Sequence, residues 1–139
     1  MTDPGSAFTF LTVEDVLSLH DDVVNTWGGT HGIRDRGLLE SAVGADTNVA
    51  LYDEAADIHD VAAAYAYHVA QNQPFLDGNK RACLAAAVAF LYMNGIDLPD
   101  REEAGESVLA KAMTDVAERR WPEPRRALAE LLRRLSGAR

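Results

Sequence analysis

Residues 73–81 read Gln-Pro-Phe-Leu-Asp-Gly-Asn-Lys-Arg, and a long alanine-rich segment follows at once. This order places a carboxylate, an amide and two cations around the predicted start of a helix at about Asn79. The first N–H groups of a helix lack intrahelical partners, and together with the helix dipole they attract anions. With Lys80 and Arg81 beside them, these groups predict a phosphate site. Asp77 is suited to hold the metal ion that usually accompanies phosphates.

The segments around this loop have the spacing of apolar residues that is typical of α-helices. Thr12 and Asp15 have the spacing of a capping box at the start of the first helix. Pro74 is expected to end the helix before the loop, and Gly95 the helix after it. We predict helices over about 12–27, 36–45, 55–72, 79–94, 102–119 and 123–135.

One segment does not follow the helical pattern clearly. Residues 46–54 contain Val49, Leu51 and Tyr52, which favour strands, and we predict a small β-hairpin there. The predicted fold class is therefore all-α with one small hairpin. The length of 139 residues, with no repeat or linker, suits a single domain over residues 1–139.

The composition narrows the cellular setting. The single cysteine, Cys83, cannot form an internal disulfide, which fits a reducing cytoplasm, and we expect it to be a buried helical residue. There is no N-terminal basic-then-apolar signal. The longest apolar run, Ala82 to Met93, is shorter than the roughly 20 residues that a bilayer requires. We expect a cytoplasmic protein without a membrane partner.

The charge is strongly acidic and unevenly distributed. The net charge of −9 argues against nucleic acid as a partner. Residues 1–118 have 6 basic and 20 acidic side chains, whereas residues 119–139 have 7 basic and 2 acidic ones. The basic C-terminal segment either binds an acidic partner or packs on the acidic body of its own domain.

The loop resembles the signature of the Fic/Doc family, His-x-Phe-x-Asp/Asn-Gly/Ala-Asn-Lys/Gly-Arg, with Gln73 in place of the histidine. Residues 11–16 and 32–42 resemble the death-on-curing branch of that family. The resemblance implies a Fic-type helical domain in which the hairpin at 46–54 is a flap that holds the target peptide. It also implies that Phe75 anchors the loop.

The same resemblance implies a role for each polar residue of the loop. Asp77 would ligate Mg²⁺ that bridges the nucleotide phosphates, and it would also be able to cap the next helix. Arg81 would clamp a phosphate in bidentate fashion. The implied catalytic residues are Gln73, Asp77 and Arg81, and the implied nucleotide-binding residues are Gly78, Asn79, Lys80 and Arg81.

Lys80 distinguishes the activities within the family. Members that transfer AMP generally have Gly there, whereas death-on-curing members have Lys and move the terminal phosphate of ATP to a protein hydroxyl. The resemblance therefore implies a toxin kinase that acts on a protein similar to elongation factor Tu and is neutralised by an antitoxin protein. AMP transfer is the weaker alternative.

Gln73 departs from the family at the position of its general base. An imidazole accepts a proton near neutral pH, but an amide does not. We expect the four histidines, His20, His31, His59 and His68, to have ordinary structural or surface roles. Three readings of Gln73 remain: a variant that works by positioning its substrate, a catalytically silent binding module, or an introduced inactivating change.

Overall fold

The computed structural model describes residues 8–52, 55–99, 102–103 and 105–137. Within these residues the chain forms six helices and one antiparallel hairpin of two short strands, which confirms the all-α prediction. The helices are α1 (Val13–Trp27), α2 (Arg36–Tyr52), α3 (Ile58–Asn72), α4 (Asn79–Met93), α5 (Val108–Ala117) and α6 (Pro124–Leu135), and the strands are β1 (Glu102–Glu103) and β2 (Glu106–Ser107).

The hairpin prediction for residues 46–54 is wrong over 46–52, and residues 53–54 lie outside the described part. α2 continues to Tyr52, since neither Gly nor Pro follows Gly44 to interrupt it, and extending an existing helix adds a hydrogen bond per residue. The weak strand preference of Val49 does not outweigh this gain. The two-residue strands lie instead at 102–107, a segment that we expected to be helical. Ser107 caps α5 by accepting a hydrogen bond from the Ala110 N–H.

The expected helix ends are present. Thr12 and Asp15 form a complete capping box at α1. After α4, the Gly95 N–H donates to the Tyr92 carbonyl and the Ile96 N–H to the Leu91 carbonyl. Gly95 has φ +92°, so this C-terminus is the glycine-ended Schellman type.

α3 is the central helix and contacts α2, α4, α5 and α6. Its residues from Val61 to Ala66 are all buried, as is Val69. The small alanine side chains allow α4 to approach α3 closely. Cys83 is buried as predicted, and burial raises the pKa of its thiol to about 12. None of the helices described here is both long and apolar enough to cross a bilayer.

The basic C-terminal segment packs on its own domain. The Arg133 guanidinium in α6 donates two hydrogen bonds to Asp57, at 2.9 and 3.0 Å. Asp57 itself caps α3. Arg120 likewise donates to Asp115 at 2.9 Å. These contacts account for part of the positive charge of residues 119–139.

Candidate functional site

The loop between α3 and α4 has a residue with a left-handed backbone at each end. Gln73 ends α3 in the left-handed region with φ +46°, and Gly78 starts α4 with φ +76°. Between them, the Phe75 side chain is 1% exposed, which confirms it as the anchor of the loop. The Asn79 amide group binds the Phe75 backbone twice, because Oδ1 accepts from its N–H and Nδ2 donates to its carbonyl, each at 3.0 Å. Asn79 therefore closes the loop on itself.

A second segment, the 28–35 loop, lies against the α3–α4 loop. The Leu76 N–H donates to the Gly32 carbonyl, and the Arg34 N–H donates to the Pro74 carbonyl. The Arg34 guanidinium also donates to the carbonyls of Asn72 and Gln73, at 2.7 and 2.8 Å. A cation at this position satisfies carbonyls that the end of α3 leaves free and complements the helix dipole.

The Asp77 carboxylate is held by two backbone N–H groups. Oδ2 accepts from Thr30 at 3.1 Å and Oδ1 from Gly78 at 2.9 Å. Gly29 permits this approach, because it has φ +116° and a β-carbon there would lie 2.8 Å from Oδ2. The expected capping of α4 by Asp77 is wrong, since Gly78 is the N-cap and no side chain of the described residues caps the helix. The left-handed turn at Gly78 leaves the carboxylate facing the 28–35 loop.

His20 packs against the α3–α4 loop and hydrogen-bonds to it, a role that the sequence did not predict. Its ring is 2% exposed and stacks on the Phe75 ring at 3.8 Å with an angle of 2°. Its Nε2 lies 2.7 Å from the Asp77 carbonyl oxygen. Because a carbonyl only accepts, Nε2 is the protonated nitrogen. The available signal was one polar residue in the apolar series of α1 that contains Val16 and Val24.

The two cations of the motif line a cleft of about 510 Å³. The Lys80 ammonium donates to the Thr114 hydroxyl at 3.0 Å. The Arg81 guanidinium lies 4.5 Å from the centre of the Trp27 ring. All predicted site residues line this cleft, namely Gln73, Asp77, Gly78, Asn79, Lys80 and Arg81. The other lining residues are Val23, Gly28, Ala70, Leu76, Met113 and Ala117.

The Asp77 carboxylate, which is the one acidic side chain among the described lining residues, fits a magnesium ion better than a metal held by protein ligands alone. Within the described residues there is no group of three or more His, Cys, Asp or Glu side chains able to hold a metal ion. Mg²⁺ is commonly bound by one or two carboxylates together with substrate phosphates and water. Asp77, exposed at the cleft and beside the anion-attracting end of α4, fits that arrangement.

None of the four histidines is among the residues that line the cleft with Gln73. His20 is buried against Phe75 and hydrogen-bonded to the Asp77 carbonyl. His31 contacts Asp21 and Asn25, and Nε2 of His59 contacts Ser136 at 2.8 Å. His68 packs beside Tyr67, and burial lowers its pKa. Their expected structural or surface roles are therefore confirmed.

Comparison with known proteins gives a consistent result. The model of the Fic/DOC family matches residues 10–91. The chain is 30% identical over 128 residues to the protein kinase doc of Escherichia phage P1, which covers 92% of this chain and 96% of that protein. It is 40% identical over 91 residues to the toxin Doc of Mycolicibacterium smegmatis, which covers 64% of this chain and 67% of that protein.

Proposed function

Because the chain belongs to the Fic/DOC family, we propose that it is the toxin of a toxin–antitoxin module and a phosphotransferase. It transfers the terminal phosphate of ATP to a hydroxyl of a protein target, for which elongation factor Tu is the first candidate. The names of its relatives, a protein kinase and a toxin, support this proposal. An antitoxin protein is its expected partner.

The observation that carries the proposal is the cleft at the start of α4. Among the described residues no side chain caps this helix, so its first N–H groups remain available to an anion. Lys80 and Arg81 add two positive charges at the same place, and Asp77 adds the carboxylate for a metal ion. A nucleotide phosphate chain with Mg²⁺ matches this set of charges.

In the proposed reaction the target hydroxyl oxygen forms a bond to the terminal phosphorus, while the bond from that phosphorus to ADP breaks. Bound Mg²⁺ would neutralise part of the charge on the phosphates. Arg81 and Lys80 bind the phosphate oxygens on which charge is spread in the transition state. Gln73 orients the hydroxyl through its amide, and the proton passes to solvent.

A catalytically silent binding module is the second candidate, and the chemistry of Gln73 favours it. The side chain is exposed at the position where the family has its base, and no histidine takes its place. General-base catalysis contributes about 10²–10⁴-fold. Its loss would leave nucleotide binding intact but turnover low. Transfer of AMP is a third, weaker candidate, since Lys80 stands where AMP-transferring members generally have Gly.

Labelled ATP distinguishes these candidates. The protein is incubated with elongation factor Tu and ATP labelled on either the α- or the γ-phosphate, with the Arg81→Ala variant as the control. Label transferred only from the γ-position supports the kinase, and label from the α-position indicates AMP transfer. Binding of Mg-ATP without transfer to any protein of a cell extract indicates the silent module.

The antitoxin is tested by expression. Growth arrest on expression of the chain, relieved by co-expression of a short neighbouring gene, is the expected result. Arrest that the Arg81→Ala variant produces equally well would contradict a toxicity based on this cleft.

A further inference from the structure

α5 contributes a contact to the cleft from a part of the chain beyond the residues 10–91 that match the family. The Thr114 hydroxyl donates to the Ala110 carbonyl at 3.1 Å and accepts from the Lys80 ammonium at 3.0 Å. We propose that Thr114 is a positioning residue that holds Lys80 ready for the terminal phosphate. This inference rests on the proposed function, because it assumes that Lys80 binds that phosphate.

The Thr114 hydroxyl is suited to hold a cation. Its proton is already directed to the Ala110 carbonyl of the preceding helical turn, so its oxygen is left as an acceptor. An ammonium group has three N–H donors and no acceptor. The bond to Thr114 uses one of these donors and leaves two for phosphate oxygens.

The surroundings keep the charge of Lys80 free. Among the described residues no carboxylate lies within ion-pair distance of its ammonium group. The nearest acid along α5, Asp115, already pairs with Lys111 and Arg120. Met113 and Ala117 on the same helix line the cleft, so α5 forms one of its walls. The Lys80 ammonium is therefore held by one hydrogen bond, and its positive charge is available to an anion.

Fixing a lysine before the ligand arrives favours binding. A lysine side chain has about 2 kcal/mol of rotamer entropy, and binding loses less of it when the side chain is already ordered. The effect should be largest for ligands that reach Lys80. We expect Thr114 to favour ATP over ADP, since only ATP has the terminal phosphate.

A double-mutant cycle tests this inference by calorimetric titration with Mg-ATP and with Mg-ADP. Thr114→Val removes the hydroxyl at constant shape and is expected to weaken Mg-ATP binding about 3- to 10-fold, the range for one lost hydrogen bond. Thr114→Ser keeps the hydroxyl and should retain the affinity. In a Lys80→Met background, Thr114→Val should change nothing, because the coupling has been removed.

Each outcome has one meaning. If Lys80→Met weakens Mg-ATP binding but Thr114→Val does not, the role of Thr114 is overturned and the proposed function stands. If Thr114→Val weakens Mg-ATP binding equally with and without Lys80, the effect is structural and the role of Thr114 is also overturned. Tighter Mg-ATP binding by Thr114→Val would overturn that role as well. If Lys80→Met has no effect, the phosphate role of Lys80 fails and the inference fails with it. Lys111→Met is the matched control, since it removes a nearby lysine that pairs with Asp115.

Discussion

Replacing Gln73 by His tests whether this site lacks only its base. The backbone of residue 73 is left-handed, with φ +46° and ψ +59°, and histidine is enriched several-fold among non-glycine residues with positive φ. The carbonyl is held by Arg34 and the N–H by Val69. Residue 73 contributes only its backbone to both bonds, so the substitution should leave the path of the loop unchanged. The side chain is exposed, so an imidazole has room.

The expected gain follows from the chemistry of the new group. A positioned imidazole raises a rate that depends on proton removal by about 10²–10⁴-fold. At about 1.36 kcal/mol for each factor of ten, the barrier falls by roughly 2.7–5.4 kcal/mol. The dissociation constant of Mg-ATP should hardly change, because in the proposed reaction residue 73 acts on the acceptor hydroxyl and Lys80 and Arg81 bind the phosphates.

The assay is transfer of γ-labelled phosphate to elongation factor Tu, measured beside Mg-ATP titration. Gln73→Asn is the matched control, because it keeps an amide and tolerates a left-handed backbone. A large rise with His alone would identify a kinase that Gln73 has silenced. If the original protein is already as active as the Gln73→His variant, proton removal does not limit the reaction and the reasoning is refuted. No activity in either form, with binding intact, would favour the binding module.

Three further predictions concern binding and stability. Arg81→Ala should weaken Mg-ATP binding by about 1–3 kcal/mol and reduce the thermal shift that Mg-ATP produces. The exposed control Arg126→Ala should leave that shift unchanged. If Arg81→Ala also leaves the shift unchanged, the nucleotide does not bind at this loop. His20→Phe keeps a ring against Phe75 but removes the donor to the loop carbonyl, and should lower the free energy of unfolding by about 0.5–1.5 kcal/mol in urea titrations. Equal stability would mean that the carbonyl does not need the imidazole. Burial lowers the pKa of His59, so the unfolded chain takes up more protons below about pH 6.5; the urea midpoint should fall between pH 7.5 and 5.5, and His59→Gln should reduce this fall.

The sequence was most informative where the determinants are local. The capping box at Thr12, the glycine after α4 and the proline after α3 each act within a few residues, and each has the predicted effect. The residues predicted to bind phosphate are also contiguous and surround a single helix start. The structure brings all of them to one cleft.

The contacts that fix the site were less accessible, because they join residues far apart in the chain. The bond from Thr30 to Asp77 spans 47 residues, that from His20 to Asp77 spans 57, and that from Lys80 to Thr114 spans 34. No local pattern specifies such pairs. The prediction that Asp77 caps α4 failed for this reason. The Asp77 carboxylate instead accepts a hydrogen bond from Thr30 in the 28–35 loop. The hairpin prediction failed over residues 46–52 because strand preference is weak evidence within a helix that no Gly or Pro interrupts there.

The distribution of these contacts also explains how one scaffold serves both candidate functions. The α3–α4 loop is shaped by His20, Arg34, Asn79 and the backbone of the 28–35 loop. In the described part of the chain, none of these bonds uses the side chain of Gln73. A residue that tolerates the left-handed backbone at position 73 can therefore replace Gln73 without altering the loop, the start of α4 or the two cations. In the proposed mechanism, binding of the nucleotide and removal of the proton therefore depend on different residues. A silent binder and an active kinase then differ by one side chain, so affinity for Mg-ATP alone does not distinguish them and turnover does.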